Sequence, residues 1–104
     1  MKTVQINPGV CGFTTEIKAA TEDGQNVKLE IRSGCAHVQK LAELLGGETD
    51  GYAVCFARFG DGPVFAAARE ACRHAACPVP MGIIKCIEAE CGLALARDVE
   101  VKFI

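Results

Sequence analysis

Phe13-Thr-Thr-Glu-Ile-Lys-Ala19 and Val27-Lys-Leu-Glu-Ile-Arg32 are the two runs on which the fold turns. In the first, Phe13, Thr15, Ile17 and Ala19 share one face, with Thr14, Glu16 and Lys18 on the other. In the second, Val27, Leu29 and Ile31 oppose Lys28, Glu30 and Arg32. Strict alternation of this kind is the pattern of a half-buried strand. The intervening Thr-Glu-Asp-Gly-Gln-Asn, residues 21 to 26, is rich in turn formers, so the pair reads as a β-hairpin.

Charge selects its register. Directly opposed residues lie on the same face, so odd-numbered apolar positions must face odd-numbered ones. One such register sets Glu16 against Glu30 and Lys18 against Lys28. The other, with a loop at Asp23-Gly24-Gln25, sets Glu16 against Arg32 and Lys18 against Glu30, and is the one predicted. It places Ile17 opposite Ile31 and Ala19 opposite Leu29. At the open end it brings Phe13 level with Cys35, with Cys11 one step beyond, at a diagonal separation of roughly 7–8 Å. Cys11 and Cys35 are therefore expected to converge.

Outward from the hairpin, Val4 and Ile6 alternate with Thr3 and Gln5 in a short first strand ended by Asn7-Pro8-Gly9. After Ser33 the period changes. Val38, Leu41, Ala42 and Leu45 form a helical stripe, with Ser33 as N-cap, Cys35 in the first turn and Gly46-Gly47 as the stop. Tyr52 to Phe59, apolar on both faces, suits a central strand. Asp61-Gly62-Pro63 then opens a helix through about Ala75, with Cys72 pointing inward near its end. Pro80 suits the first turn of a third helix that stops at Gly92, and Val99, Val101 and Phe103 alternate in a closing strand. The expectation is a single α+β domain over residues 1–104, one mixed or antiparallel sheet of about five strands with about three helices on one face.

Composition narrows the function classes. The chain has 104 residues, half of them hydrophobic, and a formal net charge of −2. Lysines and arginines are scattered singly, which predicts neither nucleic acid nor an anionic membrane as partner. The N-terminal stretch lacks the long apolar segment of a signal peptide or anchor, so a cytoplasmic location is expected. A protein partner or homo-oligomer is left open. Seven cysteines are many for such a chain, and an odd number argues against a disulfide framework.

Cys55, in a doubly apolar run, and Cys86 and Cys91, five apart on the last helix, read as small core residues. Cys11, Cys35, Cys72 and Cys77 differ, because each sits at the end of an element. Four such thiols can meet at one point, as tetrahedral sulfur coordination of zinc or an iron–sulfur cluster demands. Cys77 also lies just before a helix N-terminus, where the dipole favours a thiolate. His74, inside the Cys72–Cys77 corner, is a possible further ligand, whereas His37 reads as an exposed helix residue or as a hydrogen-bond donor behind the ligands. No carboxylate pair lies in an apolar context suited to acid–base work.

Asn7-Pro-Gly-Val-Cys-Gly-Phe13, Ser33-Gly-Cys35 and Cys72-Arg-His-Ala-Ala-Cys-Pro-Val-Pro-Met-Gly-Ile-Ile-Lys-Cys-Ile-Glu88 together resemble a small family of uncharacterised cysteine-containing domains from anaerobic bacteria and archaea. The resemblance spans essentially the whole chain and implies a cytosolic domain in which Cys11, Cys35 and Cys77 act as a set. Locally, Cys77-Pro-Val-Pro before a helix is similar to the helix start of small sulfur-carrier proteins, whose cysteine holds a persulfide. Those proteins carry the motif after their first strand, whereas here it precedes the last helix. Three functions are expected from these residues: a metal or iron–sulfur centre on Cys11, Cys35, Cys72 and Cys77; a sulfur carrier or redox protein with Cys77 as reactive thiolate and Cys72 or Cys35 as its resolving partner; or a structural or interaction domain with inert buried thiols. An enzymatic role is not favoured, and no catalytic residue is assigned outside the Cys77 reading.

Overall fold

The computed structural model describes residues 1–104. The hairpin forms as charge and parity require. Strands β1 (Lys2–Ile6), β2 (Thr15–Thr21) and β3 (Asn26–Ser33) run antiparallel, with Glu16 opposite Arg32, Ile17 opposite Ile31, Lys18 opposite Glu30 and Ala19 opposite Leu29. The ion pairs that close on the outer face, however, run along the strands. Arg32 Nη2 lies 2.8 Å from Glu30 Oε1 and Lys18 Nζ 3.8 Å from Glu16 Oε1. At the hairpin loop Asp23 Oδ1 accepts from the backbone N–H groups of Gln25 and Asn26, and these bonds hold its carboxyl below the usual range.

The rest of the chain is helix α1 (Ala36–Leu45), strand β4 (Glu48–Asp50), and helices α2 (Gly51–Cys55), α3 (Gly62–Ala71) and α4 (Val79–Glu90). The sheet order is β1-β2-β3-β4, all antiparallel. It is an α+β arrangement of four strands and four helices, in place of the expected five and three.

Both differences have a local cause. The apolar run from Tyr52 is helical at its start because Asp50 ends β4 and caps the next turn, its Oδ1 accepting from Tyr52 N at 2.9 Å and Ala53 N at 3.3 Å. A doubly apolar run of this length suits a buried strand and a short helix equally, and the cap decides. Asp50→Ala is therefore expected to cost about 0.5–2 kcal/mol in urea denaturation. Residues 99 to 103, in turn, pair with nothing. The second long helix also stops earlier than expected, at Ala71, with Cys72 as its C-cap.

Helices cover one face of the sheet; the other carries the hairpin charges. Ile17, Leu41, Ile83 and Ile87 are fully buried between the two layers. Helix α4 runs opposite to β1. A Cβ on Gly82 would fall on the Ile6 side chain, the Cys86 thiol reaches Lys2 O at 3.5 Å, and Glu90 meets both the Met1 amine and the Thr21 N–H. Glycine at 82 thus lets the helix backbone approach the sheet closely. No helix is long and apolar enough to cross a membrane.

Candidate functional site

Cys35, Cys72 and Cys77 come from three element ends. Cys35, and not Ser33, is the N-cap of α1, so the helix starts two residues later than expected, and the Cys35 side chain makes no capping bond. Ser33 supports the corner instead. Its Oγ takes the Thr15 Oγ1 hydrogen bond at 2.9 Å across the hairpin and accepts from Cys35 N at 3.1 Å. Cys72 closes α3 by donating its N–H to Ala68 O at 2.8 Å. Cys77 ends the turn before α4, its N–H on His74 O at 3.2 Å, and Pro78 is the N-cap.

The three thiols are neighbours. Burial pushes the Cys72 thiol up to about 11, and the charge of Cys77, a hydrogen bond with Cys77 and the charge of Cys35 push the same way. All three are half-buried and pack against the core. Cys11 is exposed on the β1–β2 connection. That connection is nonetheless held to the Cys35 corner, because the Phe13 ring covers Gly34, where an added Cβ would lie 3.1 Å from Phe13 Cδ1. No group of three or more His, Cys, Asp or Glu side chains stands at metal-coordinating spacing.

The two imidazoles also meet. His37, expected to be an exposed helix residue or a hydrogen-bond donor behind the ligands, is half-buried in the first turn of α1 and packs edge-on against His74, with ring centroids 6.5 Å apart. The contact joins α1 to the Cys72–Cys77 turn.

A second pair of thiols escaped the sequence reading. Cys55, at the end of α2, is pushed up to about 11 by burial, then by Glu88 and by Cys91. Cys91 is also raised, by burial first and then by Glu90, Asp23 and Asp50. Its sulfur presses on Gly51, where a Cβ would lie 2.7 Å away. With Cys55 assigned to a strand, nothing in the residue pattern could bring these two together. Cys86 is the core residue that its position suggests, fully buried and also raised to about 11, chiefly by burial.

Beside the thiols, α2, α3 and α4 enclose an open cleft of about 1080 Å³. Its lining includes Cys55, Cys72, Cys77 and His74. Arg58, Arg69, Arg73 and Lys85 also line it, against Asp61 and Glu88 as the acidic residues. A cationic cleft on a chain of net charge −2 is a local concentration of positive potential next to the thiols.

These environments order the reactivity of the reduced, metal-free protein. Alkylation at mildly alkaline pH should modify exposed Cys11 first and Cys86 only on unfolding, which peptide mass mapping over time would read. The raised thiols at 55, 72 and 86 stabilise the fold in their protonated form. Their contribution is complete below the ordinary thiol value of 9.0 and is lost as pH rises through about 11.

No curated protein and no solved structure matches the chain. Across residues 2–103 it matches a family of unknown function, DUF6951, and the chain belongs to that family.

Proposed function

We propose that this protein is a metal-binding module whose centre is held by Cys35, Cys72 and Cys77, with Cys11 as the fourth thiolate and His74 as the neighbouring donor. The observation that carries the reading is the closeness of Cys77 and Cys35 to Cys72, whose ionisation both oppose in addition to burial, Cys77 also through a hydrogen bond. Three thiolates crowded together are unfavourable alone and become favourable around a cation, which deprotonates a coordinating thiol outright. Metal binding would draw the three sulfurs together, and the exposed Cys11 loop, anchored by Phe13 on Gly34, would close the site from outside.

Four thiolates suit zinc or an iron–sulfur cluster. A divalent ion with four thiolates is an anion, and Arg58, Arg69, Arg73 and Lys85 in the adjoining cleft offset that charge. Protein purified anaerobically should contain zinc, or iron with inorganic sulfide and visible absorption. A folded, colourless protein that retains neither, and takes up neither zinc nor a reconstituted cluster, overturns the reading.

The contact between Cys72 and Cys77 favours one second reading, a reversible disulfide between them. Two thiols would give up two protons and two electrons to a partner disulfide such as oxidised glutathione, which is reduced to two thiols. Mass mapping of a Cys72–Cys77 bridge after equilibration in a glutathione buffer tests it, and bridges scattered over all seven cysteines would count against it.

A further inference from the structure

The chain after α4 carries an unusual load of uncovered apolar side chains. Leu95 is 81% exposed, Val99 51%, Val101 87% and Phe103 103%. They are not randomly spaced. Val99, Val101 and Phe103 alternate with Glu100 and Lys102, whose charged ends pair at 3.0 Å and so lie on one side. Residues 99 to 103 have the one-sided pattern of a strand but no ladder partner.

A matching open edge exists elsewhere on the same chain. β1 is an edge strand that pairs only with β2, so its other row of backbone groups is free. Its inward residues, Val4 and Ile6, are only partly buried, whereas Ile17 beside them is fully buried. The opposite edge is stepped: β4 covers only Asn26, Val27 and Lys28 of β3, the Leu29 N–H is bonded to Gly47 O and Ser33 O to Gln39 Nε2, whereas β1 offers five residues in a row, the length of the unpaired segment.

We infer that residues 99 to 103 of one copy add as a fifth strand to the β1 edge of a second copy, and that the exchange is reciprocal. Val99, Val101 and Phe103 then extend the buried face beside Val4 and Ile6, and Glu100 and Lys102 join Thr3 and Gln5 on the polar face. A slip of one residue would turn both charges inward, so parity fixes which face is buried. The occupant is a second copy of this chain because donor and acceptor have complementary lengths and patterns within one sequence, while the isolated chain leaves its own segment off its own edge. Reciprocal exchange fills both β1 edges and closes on itself, leaving only the stepped β3–β4 edge of each copy. The family match over residues 2–103 takes in both the edge strand and the segment.

Light scattering on the reduced full-length protein, with hydrogen exchange on the same sample, tests this. The wild type should be a dimer with protected β1 amides. Val101→Asp should halve the mass and deprotect β1 while leaving the helical circular dichroism unchanged, since Val101 makes no core contact in the single chain. Lys102→Ser, on the polar face, should remain dimeric. A monomeric wild type overturns the inference, and protected β1 amides in that monomer would place the segment on its own sheet. A Val101→Asp protein that stays dimeric, or a dimer whose β1 protection ignores the substitution, also overturns it.

Discussion

Cys72→Ser is expected to abolish metal retention while leaving the reduced, metal-free fold intact. Cys72 is the thiol that both Cys77 and Cys35 act on, and its backbone, not its sulfur, closes α3. A serine keeps that N–H bond and removes one thiolate of the proposed set of four, leaving a hydroxyl that is a poor ligand for zinc or an iron–sulfur cluster. Because the Cys72 thiol is held at about 11, a metal must displace its proton at any moderate pH. Uptake should therefore release protons into a weakly buffered solution and weaken as pH falls. Titration of the variant should show neither the uptake nor the release. Cys91→Ser, which alters the separate thiol pair beside Gly51, should retain metal. Equal loss in both variants would mean that the Cys35–Cys72–Cys77 corner has no special role.

Ile83→Ala should be among the most damaging single changes to stability. Ile83 is fully buried on α4, next to the glycine that brings the helix onto β1 and β2. Truncation in so closed a position removes transfer energy and leaves a cavity, a loss of about 2–5 kcal/mol. A domain of this size has roughly 5–15 kcal/mol to lose. The urea midpoint should fall with an unchanged slope, and Val10→Ala, on a fully exposed side chain, should shift the stability by less than about 0.5 kcal/mol. An Ile83→Ala protein that unfolds at the wild-type midpoint would contradict the packing of α4 on the sheet.

The features legible in the residues alone were those that rested on period and charge. The hairpin register followed from four charged side chains and the parity of Ile17 and Ile31, and α1 from Val38, Leu41 and Leu45. Two readings failed where period was silent or packing intervened. Tyr52 to Phe59 had no usable period, and the decisive group was a single carboxylate at Asp50 that caps α2. Val99 to Phe103 has the right period, but a strand also needs an edge to join, which no local pattern supplies. The candidate site divided in the same way. Element ends picked out Cys35, Cys72 and Cys77, which lie together, and Cys11, whose loop does reach the Cys35 corner. The contact between His37 and His74, and that between Cys55 and Cys91, depend on helix packing over long sequence separations.

The polar face of the hairpin has an influence that its distance from the thiols conceals. Cys35 follows β3 directly and is tied to it by Ser33, which is bonded across to Thr15. The rival register, two residues away, would bring Glu16 against Glu30 and carry the Cys35 corner about 7 Å along the sheet. That displacement is several times a zinc–sulfur bond of about 2.3 Å. Glu16, Lys18, Glu30 and Arg32 never approach the sulfurs, yet they act as the gauge that decides where one sulfur stands.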